Sequence, residues 1–115
     1  MSARIDATTK VRAITIFARR LSAAFAAPEG RNYSECIAYA GHHTPFTSYR
    51  KSIQNIAAAV AAGQSFSMAL SQHPEHFDPH FVAMVRLGEQ GGNVDEVLED
   101  FATQQEGKVP TQPAG

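Results

Sequence analysis

The stretch from Phe81 to Glu106, FVAMVRLGEQGGNVDEVLEDFATQQE, constrains the fold more than any other part of this chain. It reads as a helix, a two-glycine break and a second helix folding back. Phe81, Met84 and Val85 place apolar groups on one face at helical spacing. Gly91 and Gly92 supply the stop, because glycine takes the left-handed conformation at a helix C-terminus without steric cost. Asn93 is placed to cap the next helix, with Glu96 three residues on to bond back to the Asn93 backbone. Val94, Val97, Leu98, Phe101 and Ala102 then recur at i, i+3, i+4, i+7 and i+8, an amphipathic stripe for a packed core.

The same periodicity runs through the rest of the chain. The first helix is expected from about Lys10 to Ala26, with Ile14, Phe17, Ala18, Leu21 and Phe25 on its apolar stripe. Ala27 to Asn32 contains Pro28 and Gly30 and reads as a loop. A short second helix follows from about Ser34 to Ala40, closed by Gly41. The third runs from about Phe46 to Ala62 on Tyr49, Ile53, Ile56, Ala57 and Val60, with Gly63 at its C-terminal cap. Ser65 caps a short fourth helix that turns Phe66, Ala69 and Leu70 inward. Asp78-Pro79, a capping residue followed by proline, starts the fifth. No segment alternates with period two. The fold class is therefore all-α, a compact bundle of six helices with short loops and antiparallel neighbours. Residues 1–9 read as a flexible N-terminal tail, 10–106 as the six-helix domain and 107–115 as a disordered tail.

Composition narrows the function. Ten basic and eleven acidic residues leave a formal charge of −1, so nothing asks for nucleic acid or an anionic membrane. Cys36 is the single cysteine, which excludes an internal disulfide and fits a reducing compartment; it reads as a small buried apolar group. The longest apolar run, Ile56 to Ala62, is far below the roughly 18 residues that span a bilayer, and Arg12, Arg19 and Arg20 interrupt anything like a secretory signal. Contact with a membrane is expected only through segments absent from this chain.

Two constellations invite a chemical reading. His73, Glu75, His76, Asp78 and His80 crowd into HPEHFDPH, but Pro74 and Pro79 break the helical spacing a metal site would use. The favoured reading is a solvated loop anchored by Phe77, with no metal and no cofactor. On the sixth helix Asp95 and Glu99, and likewise Glu96 and Asp100, lie four apart, where like charges repel. With Glu89 and Glu106 they make an acidic end. Lys10, Arg12, Arg19 and Arg20 make a basic one on the first helix. Such ends can pair internally or across a symmetric dimer. A hard cation such as calcium at Glu89 or Glu99 is the less favoured reading of the same acidic surface. There is no nucleophile elbow, no phosphate loop and no residue set for catalysis. The alternative reading that the residues themselves offer is a small helix-turn-helix DNA-binding regulator. It would read DNA with Ser65 to Gln72, which carries no Lys or Arg.

Several motifs carry a resemblance in the right order. Met84-Val85-Arg86-Leu87-Gly88 leads into Glu89-Gln90-Gly91-Gly92-Asn93-Val94-Asp95-Glu96-Val97-Leu98. Gly63-Gln64-Ser65-Phe66-Ser67-Met68-Ala69-Leu70 forms an earlier turn, Phe77-Asp78-Pro79 enters the fifth helix, and Phe17 to Phe25 opens the domain. The chain resembles, over about residues 10 to 106, the cytoplasmic domain of the type II secretion system F family, the inner-membrane platform proteins of type II secretion and type IV pilus machines. The longer, more polar Ala27–Asn32 link departs from that family's pattern, as does the presence of one domain copy without membrane helices. The resemblance implies a non-catalytic scaffold on the cytoplasmic face of the bacterial inner membrane. It also implies self-association as a homodimer and contacts with the assembly ATPase and other platform proteins. Arg19, Arg20, Glu96 and Asp100 are the candidate contact residues.

Phe17, Leu21, Ile53, Ile56, Leu70, Phe81, Leu98 and Phe101 are the expected core. Leu98→Ala should therefore lower unfolding free energy by about 2–5 kcal/mol in a urea titration, and a change within error would place Leu98 at the surface.

Overall fold

A computed structural model describes residues 7–27 and 32–108. Six helices follow one another: α1 (Ala7–Ala26), α2 (Tyr33–His42), α3 (Thr47–Ala61), α4 (Phe66–Ser71), α5 (Pro79–Gly91) and α6 (Val94–Lys108). No strand occurs among the described residues. The largest interface is α1 against α6; α2 packs on α3 and α1, and α5 packs on α6 and α4. Successive contacts fix directions. Arg19 reaches Glu106 while Ser22, a turn later, reaches Asp95, so α1 and α6 run antiparallel. Phe81 meets Phe101 and Gly88 meets Val94, so α5 and α6 do too.

The helices start where the local chemistry allows. Asp78 accepts a hydrogen bond from the Phe81 N–H with Pro79 in the first turn, and Ser65 accepts from the Met68 N–H. Each such cap stabilises its helix by about 1 kcal/mol. Gly63 follows α3 at φ 109°, and Gly92 ends α5 at φ 73° and ψ 23°, the two left-handed positions the sequence assigns to glycine.

Every residue of the expected core is buried, from Phe17 and Leu21 on α1 to Leu98 and Phe101 on α6. The aromatic rings join the elements. Phe17 lies 6.3 Å from Phe66 of α4 and 5.7 Å from Phe77; Phe77 stacks on Phe81 of α5 at 5.7 Å, and Phe81 meets Phe101 of α6 edge-on at 4.9 Å. Tyr49 brings α3 into the same set at 5.7 Å from Phe77. Edge-on and offset rings add to what area burial alone contributes. Cys36 is buried, its thiol donating to the Ala24 carbonyl at 3.7 Å.

Four expectations shift. The helix α1 begins at Ala7 rather than Lys10, and α6 continues to Lys108. The remainder of the expected tails, 1–6 and 109–115, and residues 28–31 of the expected loop, lie outside the described residues. Gly41 does not close α2 but sits inside it, buried. A Cβ there would come 2.6 Å from Ile53 Cγ2 of α3, so its role is close helix approach. The reciprocal cap expected at Asn93 is not formed either. The Asn93 N–H donates to the Gly88 carbonyl at 2.9 Å, and Glu96 instead accepts from the Asn93 side-chain amide at 3.4 Å. A complete capping box lies at α2, where Asn32 Oδ1 accepts from the Glu35 N–H and Glu35 Oε1 from the Asn32 N–H, both at 2.9 Å.

Gly41→Ala should destabilise the domain by about 1–3 kcal/mol through overpacking against Ile53. Combined with Ile53→Ala, its cost in a denaturant titration should fall below the sum of the two single changes; strict additivity would place the strain elsewhere.

Candidate protein-contact surface

The seam between α1 and α6 gathers the charges singled out in the sequence. Arg19 makes a two-pronged contact with Glu106: Nε donates to Oε2 at 2.9 Å and Nη2 to Oε1 at 2.6 Å. A weaker bond runs from Nη2 to Thr103 Oγ1 at 3.4 Å. That contact raises the Arg19 guanidinium above its ordinary value and holds the Glu106 carboxyl below the usual range. Among the described residues the basic helix and the acidic helix thus pair internally through the Arg19–Glu106 contact. Arg20, Glu96 and Asp100 are exposed and form no ion pair among the described residues. A shallow cleft of about 400 Å³ opens beside the pair, with Ile16, Arg20 and the exposed ring of Tyr39 on its walls. Exposed charge around an apolar trough is suited to a protein partner, because the charges set orientation while the trough takes the side chain.

Of the four candidate contact residues, Arg19 therefore has its guanidinium committed to the fold. The other three carry surface charge on the two helices that form the seam. Glu106, part of the acidic end but not a candidate contact, is the residue that ties the seam together.

The acidic candidates for a hard cation are separated. Both oxygens of Glu89 accept from Ser67, Oε2 from its N–H at 2.9 Å and Oε1 from its hydroxyl at 2.7 Å, while Glu99 is exposed on α6. Among the described residues no three His, Cys, Asp or Glu side chains gather as metal ligands. The Glu89–Ser67 bonds join the two glycine-containing motifs of the sequence, tying the end of α5 to the first turn of α4. They also explain why a carboxylate and a serine stand at those positions.

HPEHFDPH is likewise dispersed into structural work. Phe77 is the buried anchor expected of it, Asp78 caps α5, and His80 lies 6.2 Å from the Phe101 ring. His76 turns inward. Its ring lies 4.4 Å from that of Tyr49, its Nδ1 is 2.7 Å from Ser52 Oγ, and its carbonyl accepts from the Tyr49 hydroxyl at 3.0 Å. Burial pushes the Tyr49 hydroxyl up to about 12, with Asp78 and Glu75 adding to it. Burial also lowers the His76 imidazole; Glu75, 3.7 Å away, pulls it part of the way back, and His73 and Lys10 reinforce the shift.

The helix-turn-helix reading meets a steric obstacle. Four of the six α4 residues, Phe66, Ser67, Ala69 and Leu70, are buried. Only Met68 and Ser71 face water, and neither neutralises a phosphate. No helix among the described residues is long and apolar enough to cross a membrane.

Comparison with known proteins gives a family and several relatives. The family model described as Type II secretion system (T2SS), protein F, matches residues 17–111. The type IV pilus assembly protein TapC of Aeromonas hydrophila is 39% identical over 59 residues, 51% of this chain and 14% of that protein. A HofC homologue from Escherichia coli K12, described as a protein transport protein, is 34% identical over 76 residues, 66% of this chain and 19% of its own length. The type IV pilus assembly protein PilC of Myxococcus xanthus is 29% identical over 93 residues, 81% of this chain and 22% of that protein. The chain thus spans about a fifth or less of these relatives.

His76 sets a pH dependence. Its folded value lies below the ordinary 6.5, so the unfolded chain binds the proton more tightly. Its contribution to stability is complete above 6.5 and is lost as pH falls through 6.5 toward the folded value. Melting temperature should drop between about pH 7.5 and pH 5.5, and the drop should shrink in His76→Asn. An equal drop in both proteins would assign the dependence to other groups.

Proposed function

The chain belongs to the type II secretion system protein F family, and on that premise we propose that its six-helix domain is a scaffold piece of the inner-membrane platform of a type II secretion or type IV pilus machine. It acts by contact rather than by catalysis, on the cytoplasmic side. Its partners are the assembly ATPase, other platform proteins and a second copy of the domain. The observation that carries this reading is the extent of the family match, from the middle of α1 through the end of α6, which takes in nearly the whole packed body. Supporting it is the seam between the first and last helices. An ion pair engages Arg19 and Glu106, and the charges of Arg20, Glu96 and Asp100 stay at the surface.

Charge reversal separates contact from fold. Arg20→Glu and Asp100→Lys alter exposed charges and should leave helical content and melting temperature nearly unchanged. Each should weaken self-association, read by light scattering, or binding to the machine's assembly ATPase, read by calorimetry, by at least about fivefold at moderate salt. Arg19→Glu should instead lower the melting temperature. Unchanged association in both Arg20→Glu and Asp100→Lys would remove the seam as the contact surface.

A further inference from the structure

A second cleft, of about 450 Å³, has none of Arg20, Glu96 and Asp100 in its lining and lies between the end of α1, the start of α2 and the α5–α6 turn. Its walls are aromatic and aliphatic. The Phe25 and Tyr33 rings meet edge-on at 5.1 Å, and Val94 lines the same cleft. Tyr33 also meets Phe66 edge-on at 5.8 Å and remains 37% exposed. Glu89 and Asp95 add two carboxylates, and no Lys, Arg or His is among the described residues that line the cleft.

Glu89 is fixed in place by its two bonds from Ser67, so its charge is held at the cleft rather than swinging freely in water. The C-terminal end of α5 and the first turn of α6 meet there, so their opposite dipole ends offset and the two carboxylates set the charge of the cleft. Beyond Gly92 the space is open, since a Cβ built on it would meet nothing within 4 Å. An apolar cavity with an aromatic face and fixed negative charge complements one kind of side-chain pair. The apolar member fills the trough, and a planar guanidinium or an ammonium lies over the tyrosine ring against a carboxylate.

We propose that this cleft docks a partner segment in which a bulky apolar side chain stands next to an arginine or lysine. The partner's identity follows from charge complementarity: an acidic segment would be repelled by Glu89 and Asp95, and a wholly apolar one would bring no counter-ion to them. The site shares none of Arg20, Glu96 or Asp100. Its failure therefore leaves the seam reading standing, and failure of the seam leaves this one.

Random dodecapeptides displayed on phage are selected on the chain and then on Asp95→Lys, whose exposed side chain can be reversed without opening the core; if that variant unfolds, Asp95→Asn replaces it. The expected peptides place Arg or Lys beside Leu, Ile, Phe or Trp. A synthetic peptide of that consensus should bind the chain about tenfold more tightly than the variant, lose affinity as salt rises, and move the amide resonances of Tyr33, Gly88 and Gly92. Recovery of no peptide, a consensus without a basic residue, equal binding by the variant, or resonance shifts confined to other surfaces would each overturn the proposal.

Discussion

Everything else in this fold depends on how closely α6 can lie against α5, and that approach is set by one missing methyl group. A Cβ at Gly88 would come 2.9 Å from the Val94 Cα and 3.2 Å from Val97 Cγ2. With hydrogen there, the chain turns back through Gly92 and the Gly88 carbonyl takes the N–H groups of both Gly92 and Asn93. Only then do Leu98, Phe101 and Ala102 reach the core and give α1 its cover. Glu89, the next residue, uses the same turn to hold α4. One short segment thus sets the position of three helices.

The sequence made the helices readable because nearly every one has an apolar stripe of period 3.6 with a glycine or a capping residue at its ends. Phe77 was readable as a loop anchor because it was the one apolar residue in a polar run. What escaped was set by neighbours distant along the chain. Gly41 resembles any helix-ending glycine until Ile53 of another helix is known to lie against it. Glu89 looks like one more acid in an acidic region, and only the folded chain brings Ser67 to it. The cap at Asn93 follows a sound local rule, but the tight turn claims its N–H first. The ion pair of Arg19 is hidden from the sequence for the same reason, since its partner Glu106 is 87 positions away.

The interior of the domain is filled by interlocked aromatic rings, and the buried hydroxyls of Ser52 and Ser67 are engaged by His76 and Glu89. Two of the clefts among the described residues have opposite electrostatic character. One is flanked by arginines on α1, the other by carboxylates at the α5–α6 turn. A body with near-zero net charge can present both signs at once and still avoid strong self-repulsion.

The pairing of the first helix with the last also governs the order in which the body can be completed. As the chain leaves the ribosome, α2 and α3 can pair early because they are neighbours in sequence. The face of α1 that α6 covers has no such local partner. Closing a loop between positions so far apart costs chain entropy that shorter loops do not, and its reward comes only when Leu98 and Phe101 arrive. During synthesis, then, α1 waits with part of its apolar side uncovered, and a chain cut short before α6 would keep that side exposed.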